Sequence, residues 1–166
     1  MNTTRADGEL KGNKHGAELL QLVSFQVGQE EFGVNILKVQ EIIRFQKLTR
    51  VPNLPEFVEG VINLRGKVIP VIGMRRCFGM DDLGADARNR IVIVEVNSVT
   101  LGFVVDAVSE VLRLPQDTIE PPPRLGKKER EYISGIGKLE DRLLLMLDLD
   151  RLMTQTEQSQ LVQCVN

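Results

Sequence analysis

The chain contains one unit twice. Leu22 to Phe45 lies over Ile91 to Leu114 at a constant offset of 69 with no gap, and Phe57 to Met74 lies over Tyr132 to Leu149 at an offset of 75. Eleven of the 24 positions in the first block are apolar in both copies, where independent draws from this composition would give about four. Val23, Val27, Gly33, Val39, Glu41 and Arg44 recur as Val92, Val96, Gly102, Val108, Glu110 and Arg113, and Gly60 and Leu64 recur as Gly135 and Leu139. A repeat of this length implies two similar subdomains that share a core, and the seam between such units is a favoured place for binding.

Each copy opens with the alternation of a strand pair. Val23, Phe25 and Val27 alternate with Ser24 and Gln26, Gly28-Gln29 turns the chain, and Phe32, Val34 and Ile36 alternate with Gly33 and Asn35. Asn97-Ser98 marks the matching turn between Ile91 to Val96 and Thr100 to Val105. Ile36 to Phe45 fits one helical turn followed by a strand rich in branched residues. Pro52 and Pro55 close that segment, as Pro115 and Pro121 to Pro123 do later. A second hairpin follows, Val58 to Leu64 and Lys67 to Ile72 around Arg65-Gly66, matched by Ile133 to Leu139 and Arg142 to Leu147 around Glu140-Asp141. Leu149, Leu152 and Met153, then Leu161 and Val162, suit a terminal amphipathic helix, at whose start Asp148 and Asp150 would cap free amides. About ten short strands in two sets give a mostly β protein of two small barrels or sandwiches. The expected organisation is a flexible tail over 1–18, a folded domain over 19–154 with repeats at about 22–74 and 91–149, and a helix end and tail over 155–166.

Composition excludes more than it offers. With 21 basic and 23 acidic residues the chain has a formal charge of −2, so no field gathers nucleic acid or anionic lipid. No apolar run approaches the ~20 residues that cross a bilayer, and the polar start lacks a signal-peptide core, so a cytoplasmic location is expected. Cys77 and Cys164 read as small apolar fillers in a reducing compartment. His15 is the only histidine and stands in the tail, which leaves nucleophilic triads without a base. Gly60 to Lys67 has five residues between its glycines where a phosphate loop has four, and Val68 stands where Ser or Thr would hold magnesium. Asp81-Asp82 reads as a solvated loop. No cofactor and no catalysis are expected. Recognition remains: Arg65 at a hairpin tip, with a planar fork suited to bidentate pairing, and Glu41 beside Ile42-Ile43 at the rim of an apolar patch.

Three segments carry a resemblance. Ile36-Leu37-Lys38-Val39-Gln40-Glu41-Ile42-Ile43, the stretch Val51 to Ile72 with its Asn63-Leu64-Arg65-Gly66 turn, and Gly102 to Leu112 together resemble the CheW family of chemotaxis coupling proteins, over roughly Leu20 to Met153. The resemblance implies two intertwined five-stranded barrels of the Src-homology type. It implies a non-enzymatic adaptor that joins the histidine kinase CheA, through its C-terminal regulatory domain, to the cytoplasmic tips of methyl-accepting chemoreceptors. By matching motif, Val39, Glu41, Gly60, Asn63, Arg65 and Val108 would lie at or near the groove that receives the receptor's helical hairpin. Helix-in-groove recognition fits such a seam. Gly73 departs from the family's usual Asp, which the second copy keeps as Asp148; glycine at a helix cap costs only about a few tenths of a kcal/mol. A fused receiver would point to the related CheV proteins, but the chain is too short to carry one. A detached kinase regulatory-type domain and a small-ligand-binding β protein are the alternatives.

Overall fold

The computed structural model describes residues 18–55, 57–81, 84, 86–122 and 132–155. His15, Cys164, Asp82, Leu161 and Val162, and with them the readings of both tails, lie outside the described residues. In chain order the strands are β1 (Leu19–Val27), β2 (Glu30–Asn35), β3 (Val39–Arg44), β4 (Val58–Leu64), β5 (Lys67–Gly73), β6 (Arg90–Val96), β7 (Val99–Val105), β8 (Ala107–Pro115), β9 (Ile119–Glu120), β10 (Ile133–Lys138) and β11 (Leu143–Leu147). Single 3-10 turns precede β3 (Ile36–Lys38) and β9 (Gln116–Thr118), and short helices α1 (Met74–Cys77) and α2 (Leu149–Gln155) follow β5 and β11. The expected helical turn and strand over 36–45 are both present.

The repeats exchange their hairpins. One sheet runs β8-β1-β2-β11-β10-β9 and the other β3-β6-β7-β5-β4. The opening hairpin of the first copy therefore sits among the closing strands of the second, and the reverse holds for β6 and β7. β8 and β9 are one bent path around a 3-10 turn, so the first barrel has five strands in effect. In the second barrel the segment after β3 returns to β4, where Thr49 and Val61 exchange both backbone hydrogen bonds at 2.9 and 2.8 Å.

Register obeys the offsets read from the sequence. The parallel pair Val71 and Gly102 maps onto Met146 and Gly33, and both pairs are observed. Bulges recur as well: the shift between Val39 and Glu41 against β6 matches that between Phe25 and Ser24 against β8, and the shift between Val58 and Gly60 matches that between Ile133 and Gly135. At Gly60 a Cβ would stand 2.7 Å from the Thr49 carbonyl oxygen, so the returning strap closes the barrel only against a residue with no side chain.

Strand faces divide among three apolar clusters. Ile91 and Ile93 point into the second barrel with Ile62, Ile69 and Val71, while Leu22, Leu114, Leu144 and Met146 fill the first. The opposite faces of β1 and β6 supply Val23, Phe25, Val27, Val92, Val94 and Val96 to a cluster of nineteen buried residues between the barrels, closed by Met74 of α1 and by Leu149, Leu152 and Met153 of α2. At about 2 kcal/mol per buried apolar side chain, this shared layer outweighs the five and four residues inside the barrels, so neither barrel is a stable body alone. Phe25, Phe32, Phe78 and Tyr132 stack through it with ring centroids 6.0, 4.8 and 5.4 Å apart. Ser24, on the polar side of the β1 alternation, is fully buried, because that face of β1 is the inside of a barrel.

The Gly73 departure has a local cause. Asp148 accepts a hydrogen bond from the Arg151 amide at 3.2 Å at the start of α2, whereas Gly73 precedes α1 with no side-chain cap. A Cβ on Gly73 would overlap the carboxylate of Glu59, which fills the space an aspartate would need and lies 3.8 Å from Arg76. Gly73→Asp is expected to lower stability by about 2 kcal/mol, and adding Glu59→Ala to recover most of it, a coupling that a double-mutant cycle of denaturant unfolding measures.

Candidate functional site

Arg65 occupies the tip of the β4-β5 hairpin in the left-handed region, with φ 53°, followed by Gly66 at φ 85°. This two-residue turn favours Asn or Gly at its first position, and a long side chain there carries a backbone cost of about 1 kcal/mol or more. Asn63 offsets it by accepting a hydrogen bond from the Gly66 amide through Oδ1 at 2.8 Å. The guanidinium then reaches across the barrel mouth to Glu41 on β3, with Nη2 against Oε2 and Nη1 3.4 Å from Oε1. Hydrogen bonding and charge from Glu41 both raise the Arg65 pKa above its ordinary value. Backbone strain kept at an exposed cation points to a use for that cation outside the fold.

The apolar members lie elsewhere on the same scaffold. Val39 at the start of β3 is paired with Val94, and Val108 on β8 with Phe25; both are part-buried against the shared inter-barrel cluster. Glu41, Asn63 and Arg65 therefore meet at the second barrel, and Val39 and Val108 meet through the apolar layer they both cover. Gly60 has Thr49 and Leu48 as its nearest neighbours, so its part is to seat the strap.

Two polar assemblies were not legible in the residue pattern. Asp106, after β7, receives Arg75 of α1 in a bidentate pair at 2.9 and 2.5 Å and the Gly28 amide of the β1-β2 turn at 2.9 Å, while Asn89 donates to its carbonyl at 3.0 Å. One carboxylate thus staples the first hairpin to the second barrel. In the first barrel Ser24 donates to Glu31 at 2.5 Å, and Arg142 donates to Glu31 at 2.5 Å, Asp141 at 2.9 Å and Glu110 at 3.1 Å. Glu110 is the repeat counterpart of Glu41, but Arg142 is the counterpart of Lys67 and not of Arg65, so the repeat gave no signal of this pair. Cys77 packs against the shared cluster, and burial, with the Glu59 charge adding, pushes its thiol up to about 12, as befits an inert filler.

Comparison with known proteins places this architecture. The CheW-like domain family matches residues 21–157. The chain belongs to that family. The chemotaxis protein CheW of Klebsiella aerogenes is 37% identical over 150 residues, covering 90% of this chain and 89% of that protein. CheW of Helicobacter pylori is 36% identical, covering 82% of each. The crystal structure of the scaffolding protein TtCheW from Thermoanaerobacter tengcongensis superposes with a TM-score of 0.76 at 37% identity, over 82% of this chain and 93% of that one. This CheW-like chain shares with it the paired barrels expected from the resemblance.

The Asp106 staple carries a pH dependence. Partial burial pushes its carboxyl up, but hydrogen bonds from Arg75 and Gly28, with the Arg75 charge, hold it below the usual carboxylate range. A carboxyl lowered on folding stabilises above its unfolded pKa and loses that contribution as pH falls through the folded one. Arg75→Ala is expected to cost about 1 kcal/mol at neutral pH, after allowance for solvent screening, and to flatten the decline in stability as pH falls below the unfolded carboxyl's pKa of about 3.9, as followed by urea unfolding across pH.

Proposed function

We propose that the chain is a cytoplasmic scaffold of chemotaxis that performs no reaction and joins the kinase CheA, through its C-terminal regulatory domain, to the tips of methyl-accepting chemoreceptors. An amphipathic receptor hairpin lies in the groove between the barrels, its apolar face on Val39 and Val108 and its polar edge on Glu41 and Arg65. Asn63 holds the Arg65 turn and Gly60 holds the strap beneath it. Coupling follows from differential contact: a scaffold that grips one receptor state better than the other shifts the kinase with it.

The observation that carries this reading is the strained, exposed Arg65 bridged to Glu41, on a barrel that shares its apolar layer with both Val39 and Val108. Such an arrangement contributes little to folding, since exposed ion pairs are screened by water and salt. It suits a polar rim around an apolar contact. Arg65→Glu is expected to abolish receptor-dependent kinase activation in a reconstituted complex while thermal unfolding stays close to wild type, and Val39→Asp to abolish it with a lowered unfolding temperature, since Val39 packs against the shared layer. Normal activation by either variant would contradict the groove assignment.

A further inference from the structure

Most arginines of the described barrels face a carboxylate. Arg65, Arg75, Arg76, Arg88, Arg142 and Arg151 each have one within 4 Å. Among the described residues no carboxylate pairs with Arg44, Arg50, Arg90 or Arg113, and of these four Arg44 and Arg90 stand directly opposite one another, at the end of the β3-β6 ladder. Arg90 spends one guanidinium nitrogen on the carbonyls of Ala87 and Asn89, both at 2.9 Å, which fixes the direction of its fork; Arg44 is exposed and makes no hydrogen bond among the described residues. Arg88 adds a third positive charge, paired with Asp86 at 3.4 Å. Like charges directly opposite on neighbouring strands are unfavourable, so this corner destabilises the sheet that carries it.

The corner continues the proposed groove. β3 begins with Val39 and Glu41, passes Ile42, which is 39% exposed, and ends at Arg44. β3 is bulged between Val39 and Glu41, so its run from Val39 to Arg44 is matched by Val94 to Arg90 on β6, four steps of about 13 Å in all. A helix rises about 12 Å in eight residues, a little over two turns, which returns near the same face. A helix laid along β3 with an apolar residue on Val39 therefore brings a residue of that same face, about two turns away, over Arg44 and Arg90. Two guanidinium forks in register there match carboxylate oxygens.

We infer that Arg44 and Arg90 form a carboxylate-reading element of the groove, selecting partner helices that carry an acidic side chain about two turns from their apolar anchor. The inference rests on the groove reading and extends it to partner chemistry. The repeat supports a role specific to one end: the equivalent positions in the other barrel are Arg113 opposite Gln21, so the paired forks exist once.

The test measures binding of a receptor-tip hairpin fragment to the full chain by calorimetry at low and high salt (about 50 and 500 mM), with wild type, Arg44→Gln/Arg90→Gln, the Lys/Lys pair of substitutions, and Val39→Asp. The Gln pair is expected to weaken binding about tenfold at low salt, with the difference shrinking at high salt, and the Lys pair to fall between. Acid-to-amide substitution in the fragment should remove the difference between wild type and the Gln pair. Thermal unfolding of the Gln pair should stay level or rise, since a repulsion is removed. Unchanged affinity and salt dependence in the Gln pair, with binding lost in Val39→Asp, would overturn the inference and keep the groove. Binding that survives Val39→Asp, or a wild-type chain that does not bind, would overturn the groove reading and the inference with it. An oligonucleotide bound through Arg44 and Arg90, with fragment affinity unchanged, would also overturn it.

Discussion

The apolar layer between the barrels is what the rest of the structure depends on. It is larger than either barrel's interior, and both faces of β1 and β6 are needed to make it, one lining a barrel and the other meeting the partner barrel. Exchange of hairpins makes this layer covalently unavoidable: the strands that fill one barrel belong to both repeats, so the halves cannot separate without opening each barrel. The relative placement of Val39 and Val108 follows from this, because they are the same position of the repeat and both rest on the one shared layer. The groove proposed at this seam would inherit rigidity from the core below it.

Polar groups then differentiate two halves that geometry made alike. Ile93 inside the second barrel corresponds to Ser24 inside the first, and the buried hydroxyl brings Glu31 and Arg142 with it. Buried polar groups are tolerated when each has a partner, and Ser24 and Glu31 do. In the second barrel the equivalent of Glu31 is Thr100, which accepts from Lys67 at 3.1 Å, and Glu41 pairs with Arg65. The first barrel thus gathers three acids around Arg142, while the second carries the Arg65-Glu41 pair and the facing Arg44 and Arg90. The scaffold proposed here, with two different partners, would need such an asymmetry, since identical faces could not tell them apart.

The sequence was legible wherever a local rule and the repeat agreed. Alternation located the hairpins, turn residues located Arg65-Gly66 and Asn97-Ser98, and the two offsets predicted which residues would sit at equivalent register positions. Strand exchange was not legible from the repeat itself, because two copies side by side and two copies interleaved have the same pattern; the family resemblance supplied it. The burial of Ser24 was not legible, because alternation identifies two faces and not which of them meets water. The Arg75-Asp106 staple and the Glu59 carboxylate beside Gly73 join residues 31 and 14 positions apart, on elements that only tertiary packing brings together. Among the candidate site residues, Arg65 and Asn63 were legible as a turn, while their pairing with Glu41 across the barrel mouth was not.

Native-state hydrogen exchange along a denaturant series tests the shared layer most directly. Slowly exchanging amides of β1, β6, β7 and β11 should all open in one event, with one free energy and one denaturant slope equal to those of global unfolding. Protection that persists in the strands of one barrel after the other has lost it would contradict the account, because it would show two bodies in contact where interleaving requires one.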